Sequence, residues 1–65
     1  MDFRNLKEKI LNVITDKPMS KNQIAKKLNI SQPTASKYID ILEAEGKVIV
    51  ERYGNISLVR LKNEG

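Results

Sequence analysis

The sequence contains no cysteine and no histidine, which removes most of the side chains that build reactive or metal-binding sites. Without them the chain has no disulfide framework, no thiolate or imidazole metal ligand, and no Ser-His or Cys-His nucleophile. A Gly-rich phosphate-binding loop is also missing, and the eight acidic residues are spread along the chain. We therefore predict a protein that is not an enzyme and that needs no metal and no cofactor.

Long apolar runs are missing as well. No stretch approaches the roughly 20 apolar residues that a membrane span needs, and residues 1–4 carry no apolar signal-peptide core. We therefore expect a soluble, cytoplasmic protein. With 65 residues, 40% of them hydrophobic, the chain can build one small core. The expected organisation is a single domain over residues 1–65.

Acidic residues are absent from a long central stretch of the chain. From Lys17 to Lys37 there are five lysines and no aspartate or glutamate, whereas the other residues comprise seven basic and eight acidic ones. A one-sided basic surface is typical of proteins that bind nucleic acid. The alternative is that these lysines only solvate short helices.

Apolar residues at helical spacing predict a first helix over residues 3–16. Phe3, Leu6 and Ile10 begin one stripe with a period of about 3.6. Pro18 ends the helix, because the residue before a proline avoids the α region. Nothing on this helix suggests chemistry, so we expect it to serve the core.

A capping box starts the second helix, which we predict over residues 21–28. Ser20 is the expected N-cap and Gln23 the third helical residue, so that each side chain satisfies the other's backbone N–H. Asn29 tolerates the left-handed conformation and is expected to end the helix.

A third helix is predicted to follow almost at once, over residues 32–45. Ser31 is its expected N-cap, and Pro33 falls in the first turn, where a missing N–H leaves no bond unmade. Gly46 suits the left-handed residue that terminates such a helix.

Beyond the third helix the apolar period changes to about 2, which predicts a β-hairpin over residues 47–61. Gly54 and Asn55 form a two-residue turn, because both accept positive φ. This turn pairs Tyr53 with Ile56, and the resulting register gives the hairpin an inner, core-facing side and an outer side. The inner face is predicted to hold Val48, Val50, Val59 and Leu61, and the outer face Ile49, Glu51, Tyr53, Ile56, Leu58 and Arg60.

Residues 30–39 and their continuation to 48 resemble the winged helix-turn-helix of ArsR- and MarR-type transcription regulators. The run Ser-Gln-Pro-Thr-x-Ser-Lys, which begins at Ser31, is similar to the ArsR-type recognition helix. The implied fold is mostly α with a β-hairpin, three helices followed by a two-stranded wing. Metal-sensing members use cysteine and histidine ligands that are absent here, and 65 residues leave no room for the flanking helices of MarR-like members. The resemblance therefore implies DNA binding and no sensing function.

The resemblance implies that the third helix enters the major groove of duplex DNA and that the wing contacts the adjacent backbone or minor groove. Gln32 is suited to adenine N6 and N7, Thr34 to a thymine methyl or a phosphate, and Lys37 to a phosphate or a guanine. The alternatives are helix capping for the first-turn residues and solvation for the lysines. The predicted DNA-binding residues are Lys21, Asn22, Lys26, Lys27, Ser31, Gln32, Thr34, Ser36, Lys37, Tyr38, Arg52, Tyr53 and Asn55.

Three further alternatives stay open at this point. Ser31 either caps its helix only or also presents the helix N-terminus to a phosphate. Tyr38 either packs at the edge of the core or places its hydroxyl on a phosphate. Arg52 either enters a narrow minor groove or is solvated.

The outer hairpin face is more apolar than the solvent face of a monomer needs to be, with Ile49, Ile56 and Leu58 among its residues. It predicts a homodimer or another protein partner, and a single domain reads only half a DNA site in any case. The alternative function is that of a winged-helix protein–protein interaction module within a larger assembly, because a fold does not fix a function.

Overall fold

The computed structural model describes the backbone of residues 3–62 and the side chains from residue 5 onward. The three predicted helices and the predicted hairpin are all present, and their order confirms a mostly α architecture with a wing. The elements are α1 Phe3–Val13, β1 Met19–Ser20, α2 Lys21–Leu28, α3 Gln32–Ala44, β2 Val48–Tyr53 and β3 Ile56–Leu61.

The first helix ends at Val13 and not at residue 16, as the sequence predicted. The hydroxyl of Thr15 donates to the carbonyl of Leu11 at 2.9 Å, and the Thr15 N–H donates to the carbonyl of Asn12 at 3.3 Å. These bonds satisfy carbonyls of the last turn and close a tight turn. Residues 14–17 form turns and bends that lead from α1 towards β1.

The corner between α2 and α3 forms as the sequence predicted. Ser20 Oγ accepts from the Gln23 N–H at 3.1 Å, and Gln23 Oε1 accepts from the Ser20 N–H at 3.2 Å, which completes the capping box. Asn29 adopts the left-handed conformation, with a φ of 58°. Ala25 and Ala35 are both buried, so that small side chains lie where the two helices meet.

α3 ends at Ala44, one residue before the predicted end, with Glu45 as its C-cap. Gly46 has a φ of +77°, which strains a residue with a Cβ. The Gly46 N–H donates to the carbonyl of Glu43, and the next N–H, that of Lys47, donates to the carbonyl of Leu42. This pair of bonds is a Schellman motif, and it turns the chain from the helix into the hairpin.

The hairpin has the predicted register, with Tyr53 opposite Ile56. Strand β1 was not predicted. It pairs antiparallel with β3, with Met19 opposite Val59. The two-stranded wing is present as predicted, and the short β1 extends its sheet to three strands in the order β1-β3-β2. A strand of two residues has no periodicity to detect, and its partner lies far along the chain.

The core is built from apolar side chains of all three helices and of the hairpin. Val48 and Val59 of the predicted inner face are buried, and Val50 and Leu61 pack against the core from half-buried positions. In the part of the chain that the structure describes, no helix is long and apolar enough to cross a membrane. The buried residues are Leu6, Ile10, Ile14, Ile24, Ala25, Ala35, Tyr38, Ile39, Leu42, Val48 and Val59.

Candidate nucleic-acid interface

The third helix presents a polar edge on the side that does not contact the core. Ala35, Ile39 and Leu42 are fully buried, so the helix is anchored along one face. The predicted recognition residues occupy the remaining positions: Gln32 and Lys37 are exposed, and Thr34 and Ser36 are half-buried.

The start of α3 is held by its own hydroxyl groups. Ser31 Oγ accepts from the Thr34 N–H at 3.2 Å, and its hydroxyl donates to Thr34 Oγ1 at 2.8 Å. Ser31 therefore performs the capping role, and the hydroxyls of both residues are engaged within the first turn. Because the first turn is held in this way, the backbone of Gln32, the first residue of α3, has a fixed position.

A hydrogen bond between two amide side chains joins α2 to α3. Gln32 Nε2 donates to Asn22 Oδ1 over 2.6 Å, although both residues are exposed. Asn22 is one of the predicted DNA-binding residues. The structure adds that it contacts the residue expected to read a base.

Lys21 also reaches from α2 to α3. Its Nζ lies 3.2 Å from Ser36 Oγ and 3.5 Å from Asp40 Oδ1, and its side chain is 23% exposed. Asp40 did not emerge from the sequence as a site residue, because it lies 19 positions from Lys21 and no local pattern links the two. Part of the positive charge of Lys21 is therefore compensated within the corner.

The other lysines of the acid-free stretch remain available to a ligand. Lys26 and Lys27 lie exposed in the last turn of α2, and within the described residues neither forms an ion pair. Lys37 is exposed on α3, with its Nζ 5.9 Å from the ring centroid of Tyr38.

Tyr38 belongs to the core and not to the surface. Only 6% of its surface is exposed, and it packs in the same cluster as Ile39 and Leu42. Of the two alternatives that the sequence left for this residue, packing describes the position of the ring. The predicted contact of its hydroxyl with a phosphate stays a prediction.

The residues of the turn at the tip of the wing are exposed. Arg52, Tyr53 and Asn55 are exposed, and Gly54 has a φ of +60°. The Tyr53 hydroxyl donates to Glu51 Oε1 at 3.1 Å, and this bond to a carboxylate raises the pKa of Tyr53 above its ordinary value.

The outer face of the hairpin is apolar mainly near its tip. Tyr53 is 58% and Ile56 56% exposed, whereas Ile49 and Leu58 are half-buried. Glu51 accepts a hydrogen bond from Arg60 across the two strands, at 3.4 Å. The exposed apolar surface expected of a protein contact is therefore smaller than the whole face.

One groove brings several predicted residues together. It lies between the starts of α2 and α3 and strand β3, and its lining includes Lys21, Asn22, Gln32 and Asn55. Lys26, Lys27 and Lys37 are not part of it, nor is Arg52. Among the described residues no cluster of three or more acidic, histidine or cysteine side chains could hold a metal ion.

A family model described as winged helix-turn-helix DNA-binding matches residues 3–49. No curated protein sequence matches the chain significantly. Solved structures are similar in fold. Reduced HlyU from Vibrio cholerae is 20% identical, with a TM-score of 0.85, and the match covers 91% of this chain and 62% of that one.

Two further structures extend this similarity. The homodimeric winged helix-turn-helix DNA-binding domain Mb0332 from Mycobacterium bovis is 24% identical (TM-score 0.86), with 91% of this chain and 55% of that one covered. The transcriptional regulator BldR from Sulfolobus solfataricus is 26% identical (TM-score 0.86), with 94% and 46% covered. The chain thus spans between 46% and 62% of the lengths of these three structures.

Proposed function

The chain belongs to the winged helix-turn-helix DNA-binding family, and from this premise we propose that it is a sequence-specific, duplex-DNA-binding transcription regulator. In this proposal α3 lies in the major groove and the wing contacts the adjacent backbone or minor groove. The protein acts by binding and not by catalysis, and it works in the cytoplasm, without a cofactor.

The polar edge of α3 is the observation that carries the proposal. Gln32 is exposed in the first turn of the helix, Lys37 is exposed on the side away from the buried residues, and no acidic residue occurs between Lys17 and Lys37. An exposed helix edge that combines hydrogen-bonding side chains with positive charge fits a groove flanked by phosphates.

Each group of residues takes a distinct part in the proposed complex. Gln32 and Thr34 contact base edges, while lysines of α2 and α3 neutralise phosphates. Arg52 and Asn55 at the wing tip contact the backbone or the minor groove. The base-reading residues thus lie on α3, whereas the phosphate contacts are shared among α2, α3 and the wing.

A homodimer completes the proposal, because one such domain reads only half a site. Mb0332, which is similar in fold, is described as homodimeric. The exposed Tyr53 and Ile56 on the outer hairpin face support a contact with a second copy or with another protein.

Selection of binding sites from random duplexes at two salt concentrations tests the proposal. We expect a defined motif with two half-sites, and an affinity that falls with salt by a log–log slope of about −0.9 per phosphate contacted. Lys37→Ala should make that slope shallower by about 0.9, the value for one phosphate contact. Lys9→Ala, at an exposed position on α1, is the matched control and should leave the slope unchanged. A chain that binds no duplex at low salt would falsify the proposal.

The second candidate function is that of a protein-interaction module. It is favoured by one observation, namely that Tyr53 and Ile56 are the large hydrophobic residues with exposed surfaces in the described chain. Ile56→Asp distinguishes the two functions. The module predicts loss of a stable protein complex and no DNA shift in any variant, whereas the regulator predicts a DNA shift by the wild-type domain.

A further inference from the structure

The hydrogen bond between Asn22 and Gln32 connects the first turns of two helices. Asn22 is the second residue of α2 and Gln32 the first residue of α3, and Gln32 Nε2 donates to Asn22 Oδ1 over 2.6 Å. Both side chains are exposed, so burial does not force them together. They also line the same groove, which opens between these helix starts and the wing.

The backbone beneath each amide is fixed independently of this bond. The capping box of Ser20 and Gln23 holds the start of α2, and Ser31 holds the start of α3 through Thr34. The two side chains therefore extend from rigid positions, and the hydrogen bond between them restricts the rotamers that Gln32 can adopt.

The bond also determines which groups of Gln32 remain for a ligand. A glutamine amide has one carbonyl and two N–H donors. With one N–H given to Asn22, the amide still offers one N–H and its carbonyl oxygen. In the major groove adenine presents an acceptor, N7, beside a donor, N6, and this pair complements the remaining groups, whereas guanine presents two acceptors.

We propose that Asn22 is a positioning residue that holds the Gln32 amide for an adenine in the major groove. This inference rests on the proposed function and deepens it by naming the base and the residue that orients the reader. An exposed glutamine that is already immobilised loses less conformational freedom on binding, a difference of about 2- to 12-fold in affinity.

The test is a double-mutant cycle on the duplex that the wild-type chain selects. Affinities are measured for the wild type, Asn22→Ala, Gln32→Ala and the double variant, each on the selected duplex and on duplexes with one base pair replaced. Asn22→Asp is the conservative variant, since a carboxylate can only accept and so keeps the acceptor for Gln32 Nε2. Asn12→Ala, at an exposed position on α1, is the matched control.

We expect Gln32→Ala to reduce discrimination at one A·T pair by roughly 5- to 150-fold. Asn22→Ala should reduce discrimination at that same pair by about 2- to 12-fold, and the double variant should be no worse than Gln32→Ala. Asn22→Asp should retain the discrimination while its added negative charge weakens binding to all duplexes alike. Asn12→Ala should change neither quantity.

Two other results overturn the inference and have different meanings. If Asn22→Ala leaves the base preference intact, or changes it at another pair additively with Gln32→Ala, Asn22 does not position Gln32 although the chain still binds DNA. If the wild-type chain selects no motif, the proposed function has failed and the inference fails with it. Circular dichroism of each variant serves as the control that its helices are retained.

Discussion

The helix-turn-helix corner and the wing tip lie on either side of the same groove, yet they are built differently. In the corner, residues 20–36, side-chain hydrogen bonds cross between elements, as from Lys21 to Ser36 and from Gln32 to Asn22. At the tip, residues 52–56, the side chains are exposed and the tyrosine is held by Glu51 of its own strand.

This difference corresponds to two kinds of DNA contact. A bidentate bond to a base edge needs its donor and acceptor within a fraction of an ångström, which a cross-linked corner provides. Contacts to phosphates and to groove shape tolerate an adaptable hairpin. The molecule therefore places the proposed base-reading residue where the backbone is held from two sides.

The largest expected effect contrasts the stabilities of the two regions. Ile24→Ala in the buried corner should lower the free energy of unfolding by about 2–5 kcal/mol, because it opens a cavity in the core. Ile56→Ala removes the same groups at the exposed tip and should change it by no more than about 0.5 kcal/mol. Urea denaturation measures both. An equal loss at the two positions would show that the tip is packed, as in a dimer.

The second prediction separates the two modes of contact. Gln32→Ala should cost about 1–3 kcal/mol of discrimination between base pairs and leave the salt dependence unchanged. Arg52→Ala at the tip should weaken binding uniformly and lower the log–log salt slope by about 0.9. Fluorescence anisotropy over a salt series measures both quantities. A base-specific loss in Arg52→Ala would remove the distinction between corner and tip.

The third prediction concerns the carboxylate within the corner. Asp40→Asn should raise DNA affinity by about 2- to 5-fold, because it removes a negative charge from α3 and releases Lys21, while stability changes little. Glu8→Gln, at an exposed position on α1, is the control for net charge. Weaker binding by Asp40→Asn would mean that the cross-link itself, and not the free lysine, serves the complex.

The smallest expected effect is a titration at the tip. Glu51 accepts a hydrogen bond from the Tyr53 hydroxyl and raises its pKa above 10.0. The pKa of Tyr53 is higher in the folded than in the unfolded chain. The bond therefore contributes stability below pH 10, and this contribution is lost as the pH rises through the folded pKa. Glu51→Gln should return the pKa toward its ordinary value. Ultraviolet absorbance in a Tyr38→Phe background follows Tyr53 alone, and an unchanged titration would show that the tip bond does not persist in solution.

Most of the architecture could be predicted from the sequence, because it depends on interactions between residues that are close along the chain. The capping box at Ser20, the left-handed Asn29 and the turn at Gly54 each depend on residues that are neighbours along the chain. The register of the hairpin followed from that turn. A two-residue loop fixes which residues face each other across the strands, and the alternation of apolar residues agrees with only this register. The burial of Ala35, Ile39 and Leu42 on α3 likewise agrees with their spacing of i, i+4 and i+7.

What only the tertiary structure decided are contacts between residues far apart in sequence. The pairing of Met19 with Val59 has no local signal. The same is true of the burial of Tyr38, the ion pair between Lys21 and Asp40, and the bond from Gln32 to Asn22. Periodicity reports which face of an element is apolar, whereas the meeting of two polar side chains depends on how the elements are packed.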